Sequence, residues 1–203
     1  MGLGKLLAVA LTLAALVLAA TACSGSGGSS GGSSTGGGTE TYTNGQYGFS
    51  LTYDTMLTQG TPSGGSSSGT GSAFDIAFVD ANGTQSGSKY LDGLQVSVYV
   101  LARALKPSEV PGLKGQVEGI VNQLMAKLTS ARVLEPLSTT TVNGVPGFTV
   151  SYSFVQEGVK LSAASYFLFA HEHEYEITGQ ASAGSWNELS PTLNAAIQSF
   201  TVK

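Results

Sequence analysis

Leu113, Val117, Ile120, Val121, Leu124, Met125 and Leu128 fall on one helical period and form the longest apolar stripe in the chain. That spacing predicts an amphipathic helix packed on a core. Ser108 and Pro111 suit its first turn, and Gly112, Gly115 and Gly119 weaken its start. Elsewhere the period is two. Tyr47–Tyr53, Ala73–Val79 and Leu94–Leu101 alternate apolar and polar residues or are rich in β-branched and aromatic ones, and so predict strands. Arg132–Val142 leads into Asn143-Gly144, a strong hairpin signal. Gly147–Gln156 and Lys160–Ala170 alternate on either side of Glu157-Gly158, and Tyr175–Gln180 predicts one more strand. A second helix is expected from about Ser185 to Gln198. Ser185 and Glu188 are placed as a capping box, and Pro191 either kinks the helix or restarts it. Strand hairpins separated by one long and one terminal helix imply an α+β domain, an antiparallel sheet with flanking helices.

Two segments lie outside this pattern. Leu6–Leu18 is an apolar run behind Lys5, closed by Ala20-Thr21-Ala22. It is too short and wrongly flanked for a transmembrane helix and reads as an export signal over residues 1–22. Ser24–Thr39 is nearly pure Gly and Ser. Such a chain behaves as a flexible coil, spanning on the order of 20 Å, so residues 23–45 read as a tether. Residues 46–203 then form the globular domain, interrupted by a second Gly/Ser patch, Gly60–Ser72, expected as a long loop.

Cys23, the sole cysteine, stands where the export signal meets the tether. Its position, with Ser24 and Gly25 after it, resembles the lipobox of bacterial lipoproteins, in which the cysteine is acylated and becomes the mature N-terminus. Ala20-Thr21-Ala22 also suits ordinary signal peptidase, which would leave a free thiol. A lone exposed thiol outside the cytoplasm invites intermolecular disulfides, and acylation removes that liability. The expectation is an extracytoplasmic protein, lipid-anchored to the bilayer through acylated Cys23.

Without residues 1–22 the chain has eight basic and thirteen acidic side chains, a net charge of −5. Lys and Arg occur singly, which argues against nucleic acid and against an electrostatic membrane patch. With no second cysteine, no intrachain disulfide forms and stability must come from packing.

The opening Tyr47-Gly48-Phe49-Ser50-Leu51-Thr52-Tyr53, the hairpin Thr140–Gly147, and the ending from Trp186 through Ser199-Phe200-Thr201-Val202 together resemble PsbP-like and DcrB-like domains, including lipoproteins of the LpqN type. Asp54 stands where those domains usually have proline. The resemblance covers about residues 46–203. It implies an α/β/α sandwich around an antiparallel sheet and implies little about activity.

Candidate chemistry is sparse. His171-Glu172-His173-Glu174-Tyr175-Glu176 holds the chain's two histidines. On a continuous strand His171 and His173 share a face and can hold Zn²⁺ or Cu²⁺, but Glu172 points away and a third ligand must come from elsewhere. The PsbP-like resemblance places this stretch at a hairpin turn, where solvated charges are ordinary. There both histidines would titrate near 6.5, raised if anything by the neighbouring glutamates. No nucleophile elbow, H-E-x-x-H or phosphate loop is present, and Gly83–Gly87 lacks a following helix. Asp75, Asp80 and Asp92 are expected in solvated strand ends or loops. No cofactor and no catalytic residue are expected.

A binding role has more support. Gln95, Ser97, Tyr99, Thr149, Ser151, Ser153, Ser162 and Tyr166 read as one polar sheet face able to receive a protein or glycan partner. Val96, Val98, Phe148, Val150, Phe154, Phe167 and Phe169 would face the long helix. The reading is a tethered binding or scaffolding module. Its rivals are a metal-binding protein or hydrolase using His171 and His173, and a purely structural envelope component.

Overall fold

A computed structural model of the chain describes residues 37–64 and 71–203. The export signal, Cys23 and most of the tether lie outside the described residues. Among the described residues, two larger antiparallel sheets, a two-stranded ribbon and two α-helices build the fold. β1 (Thr39–Asn44), β2 (Phe49–Asp54) and β11 (Thr201–Val202) form a small sheet in the order β1-β2-β11. The large sheet runs β3 (Leu57–Gln59), β4 (Phe74–Asp80), β7 (Gly93–Leu105), β10 (Val159–Ser182), β9 (Val145–Gln156) and β8 (Thr129–Val142). β5 (Gln85–Ser86) and β6 (Lys89–Tyr90) make a two-stranded ribbon. The helices are α1 (Lys114–Lys127) and α2 (Trp186–Gln198).

β1 corrects the expected domain boundary at residue 46. Tyr42 packs on Phe49 and Phe78 at 5.9 and 5.8 Å between ring centroids, and Tyr53 donates to Glu40 Oε2 at 2.8 Å. These contacts hold residues 39–44 in the fold. Asn44 closes the β1–β2 turn by accepting from the backbone N–H groups of Gln46 and Tyr47, each at 3.0 Å.

β10 spans 24 residues. Were it straight, Ser165 and Thr178 would lie about 40 Å apart. Their hydroxyls are 2.7 Å apart, and the Ala183 N–H donates to the Lys160 carbonyl at 2.9 Å. β10 therefore doubles back at His171–Glu172, where His171 takes a left-handed φ of 55°. Its first half pairs with β9 and its second with β7. The reversal is tighter than the sequence suggested and draws His173 and Glu174 into the sheet as well. Asn143-Gly144 and Glu157-Gly158 make two further tight turns, with φ of 47° and 83°, and of 52° and 80°.

Each helix covers a different half of a different face. α1 and the preceding 3-10 turn (Pro107–Leu113) bury Phe148, Val150, Phe154, Phe167 and Phe169 at the β9 end. α2 and the small sheet bury Ile76, Phe78, Leu94, Val96, Val98, Tyr175 and Ile177 at the β4–β7 end of the opposite face. Val96 and Val98 thus pack on the α2 side and not against α1. The long helix is also shorter than its stripe, because Pro107–Leu113 tightens into 3-10 geometry. Ser108 and Pro111 precede α1 and do not form its first turn. Val117 is fully buried, whereas Leu124 is half-buried. Ser185 stands at the N-cap of α2 but its hydroxyl contacts Ser182 Oγ at 2.9 Å, so the expected capping box does not form. α2 continues through Pro191 as one helix.

Candidate functional site

The diagonal placement of the helices leaves two polar half-faces, one on each side of the sheet. On the α2 side, Thr149, Ser151 and Ser153 of β9 pair in register with Tyr166, Ala164 and Ser162 of β10. α2 stops short of this end, and a groove of about 400 Å³ runs between helix and sheet. Leu134, Glu135 and Ser151 form one wall, Ala164, Tyr166 and Gly179 the floor, and Trp186, Ser190, Pro191 and Asn194 the other wall. Gly179 allows the approach, since a Cβ there would stand 3.2 Å from Leu193 Cβ. The Tyr166 hydroxyl donates to Asn194 Oδ1 at 3.3 Å and tethers the floor to the helix. Ser151 donates to Glu135 Oε2 at 3.1 Å. Two aromatic rings and several small polar groups in one concavity suit a ligand that is partly apolar and partly hydrogen-bonding.

The polar face read from the sequence is therefore split. Gln95, Ser97 and Tyr99 lie on the α1 side, in register with Thr178, Glu176 and Glu174 of β10, and Asp75 of β4 pairs with Ser97. Ser97 donates to Asp75 Oδ1 at 2.6 Å, Gln95 Nε2 reaches the same oxygen at 3.4 Å, and Ser72 donates to Asp75 Oδ2. Glu174 is buried and Glu176 half-buried. Burial, and next the charge of Glu176, pushes the Glu174 carboxyl well above the ordinary range; burial and then Asp75 do the same to Glu176. Burial foremost also raises the Tyr99 phenol.

The two histidines stand in different surroundings. His171 is exposed at the reversal of β10, while the His173 ring lies edge-on to Tyr47 at 5.7 Å, with Nδ1 3.5 Å from the Tyr175 hydroxyl. Burial lowers the His173 pKa, outweighing the upward pull of Glu172, so the expectation of an ordinary or raised value fails there. Among the described residues no group of three or more His, Cys, Asp or Glu is arranged to hold a metal ion. Asp92 is fully buried and not solvated: its Oδ1 accepts from the Ser182 N–H at 2.7 Å and its Oδ2 from the Thr84 N–H at 2.9 Å. Asp75 sits inside β4, and Asp80 at the end of β4 accepts from the Asn82 N–H at 2.9 Å.

Among solved structures, the chain matches PsbP (CyanoP) from Synechocystis sp. PCC 6803 over 87% of its own length and 98% of that chain, at 13% identity and a TM-score of 0.53. The fold is PsbP-like. A Bacteroides thetaiotaomicron VPI-5482 protein matches over 80% of this chain and 48% of that one, at 10% identity and a TM-score of 0.51. LpqN, involved in cell envelope biogenesis of Mycobacterium tuberculosis, matches over 72% of this chain and 91% of that one, at 12% identity and a TM-score of 0.42. No protein-family model and no curated protein matches the sequence. At these identities the likeness is one of fold. The groove stands on the PsbP-like framework because β10 doubles back and carries Tyr166 under α2.

Proposed function

We propose that this protein is an extracytoplasmic, membrane-tethered binding module whose PsbP-like domain receives a partner in the groove between α2 and the β8–β9 end of the sheet. The observation that carries this reading is the groove itself. It is a concavity between packed elements, floored by Tyr166, walled by Trp186 and Asn194, and lined by small hydroxyl side chains. Such mixed lining is typical of pockets that take a ligand with both apolar and hydrogen-bonding groups. The sequence supports this location: the apolar run read as an export signal stops just before Cys23, and a Gly/Ser stretch separates that cysteine from the domain.

Two experiments test the two parts. Mass spectrometry of the mature protein should find an acyl group on Cys23, and Cys23→Ala should release the protein from membranes or block its processing. An unmodified thiol on the wild-type mature chain refutes the anchor. For the groove, a photo-crosslinker at Ser190 should capture a discrete partner in native membranes, and Tyr166→Ala with Asn194→Ala should abolish that capture. Capture that persists in the double variant, with the fold intact, refutes the groove as the binding site.

A further inference from the structure

The half-face on the α1 side is independent of the groove. Glu174 is 1% exposed, and its Oε2 accepts no hydrogen bond among the described residues. Glu176 follows two residues later on the same strand face, with Asp75 one strand beyond Ser97. The other titratable groups bearing on the pair are phenols: Tyr99 from β7 and Tyr152 from β9. In the register that sets Ser165 against Thr178, the buried Phe169 and Phe167 fall opposite Glu174 and Glu176. On the 3-10 turn Glu109 is bound to Arg103 at 2.8 Å, and on α1 Lys114 is paired with Glu118 at 3.7 Å. No cation answers the carboxylates among these groups.

A buried carboxylate without a counter-charge is costly, and a second one beside it adds repulsion. The described carboxylates and histidines are not arranged to hold a metal ion. A proton is the ion that fits the space. We propose that Glu174 and Glu176 form a proton-binding site that keeps this half-face closed while it is occupied and loosens the β7–β10 ladder when both carboxyls ionise. Protonation removes the repulsion and turns one oxygen into a donor. Ionisation of both places like charges beside Asp75 on a partly buried face, and water must enter around the buried Glu174 carboxylate.

The sign follows from the raised folded-state values, about 8 for Glu174 and about 7 for Glu176. Between the ordinary glutamate range and those values the folded state holds more protons than the unfolded one, so stability falls as pH rises and levels off above about 8.

The test uses the mature wild-type protein. Isotope-edited infrared or carbon NMR spectra should show one glutamate carboxyl still protonated near neutral pH and ionised by about pH 9. Amide exchange along the β7–β10 ladder, corrected for its intrinsic pH dependence, should accelerate over the same range. Glu174→Gln should flatten the fall in melting temperature between about pH 5 and 9. If every glutamate of the wild type titrates in the ordinary range, or the Glu174→Gln/Glu176→Gln double variant keeps the full pH slope, the proposal fails. It also fails if millimolar Ca²⁺ at about pH 8 raises the melting temperature of the wild type but not of the double variant, since a metal would then be the occupant.

Discussion

The Ser165 Oγ lies 2.7 Å from Thr178 Oγ1, and the Tyr152 hydroxyl stands 3.1 Å from the same serine oxygen. Three hydroxyls from β9 and both halves of β10 thus share hydrogen bonds in a buried position. Ser165→Ala leaves the other two short of a partner and should cost about 1–3 kcal/mol. Thr178→Val on that background should cost less than it does alone, as a double-mutant cycle in urea unfolding will show. Additive losses would mean that the three hydroxyls do not act together.

Asp92 binds two backbone N–H groups, one from the loop before β5 and one from the end of β10. Asp92→Ala strands both in the interior and should destabilise by about 1–3 kcal/mol per orphaned group. The Asn variant keeps one acceptor oxygen and should recover part of the loss. A solvated aspartate would show neither effect.

Gly147 packs against the neighbouring strand. A Cβ there would sit 2.1 Å from the Phe167 carbonyl oxygen. Gly147→Ala should therefore force β9 and β10 apart and lower the melting temperature by several degrees, whereas Gly115→Ala on α1, where the Cβ meets open space, should be neutral or stabilising.

The α1 side can be probed by truncation. Leu113 is fully buried, and Leu113→Ala should cost about 2–5 kcal/mol. Leu124→Ala should cost less because that side chain is only half-buried, and Gln123→Ala should stay within about 0.5 kcal/mol. Equal losses at positions 113 and 123 would contradict the packing of α1.

His173 carries a pH prediction of the opposite sign to the glutamates. Its folded pKa lies below the ordinary value, so protonation is disfavoured in the folded state. Its contribution is present above about 6.5 and is lost as pH falls below that value. Proton NMR should place its imidazole titration below 6.5, and His173→Ala should weaken packing on Tyr47. Micromolar Zn²⁺ should not change the melting temperature of the wild type. A rise abolished by His171→Gln/His173→Gln would restore the metal reading.

The site was only partly legible in the sequence. Ser151 and Tyr166 stood in the expected polar face because alternation marks them as non-core positions on their strands. Trp186, Asn194 and Glu135 did not, since they join the groove through the docking of α2 and the pairing of β8, both long-range events. Glu174 read as a solvated turn residue just before the expected strand that holds Glu176, because nothing local distinguishes a charge at a turn from one drawn two residues into a sheet.

By itself the sequence determined most of the elements. Alternation, helical spacing and the dipeptides Asn143-Gly144 and Glu157-Gly158 are local, and backbone sterics translate them into strands, helices and turns with little help from elsewhere. Tertiary structure alone decided which way each alternating strand faced. A strand's pattern gives two faces but does not say which meets α1, and the reversal at His171–Glu172 exchanges odd and even positions between the halves of β10. Hence Phe167 and Tyr175 serve different cores, Gln95 and Ser151 lie on opposite sides, and Glu174 is buried with Glu176 half-buried two residues along the same face.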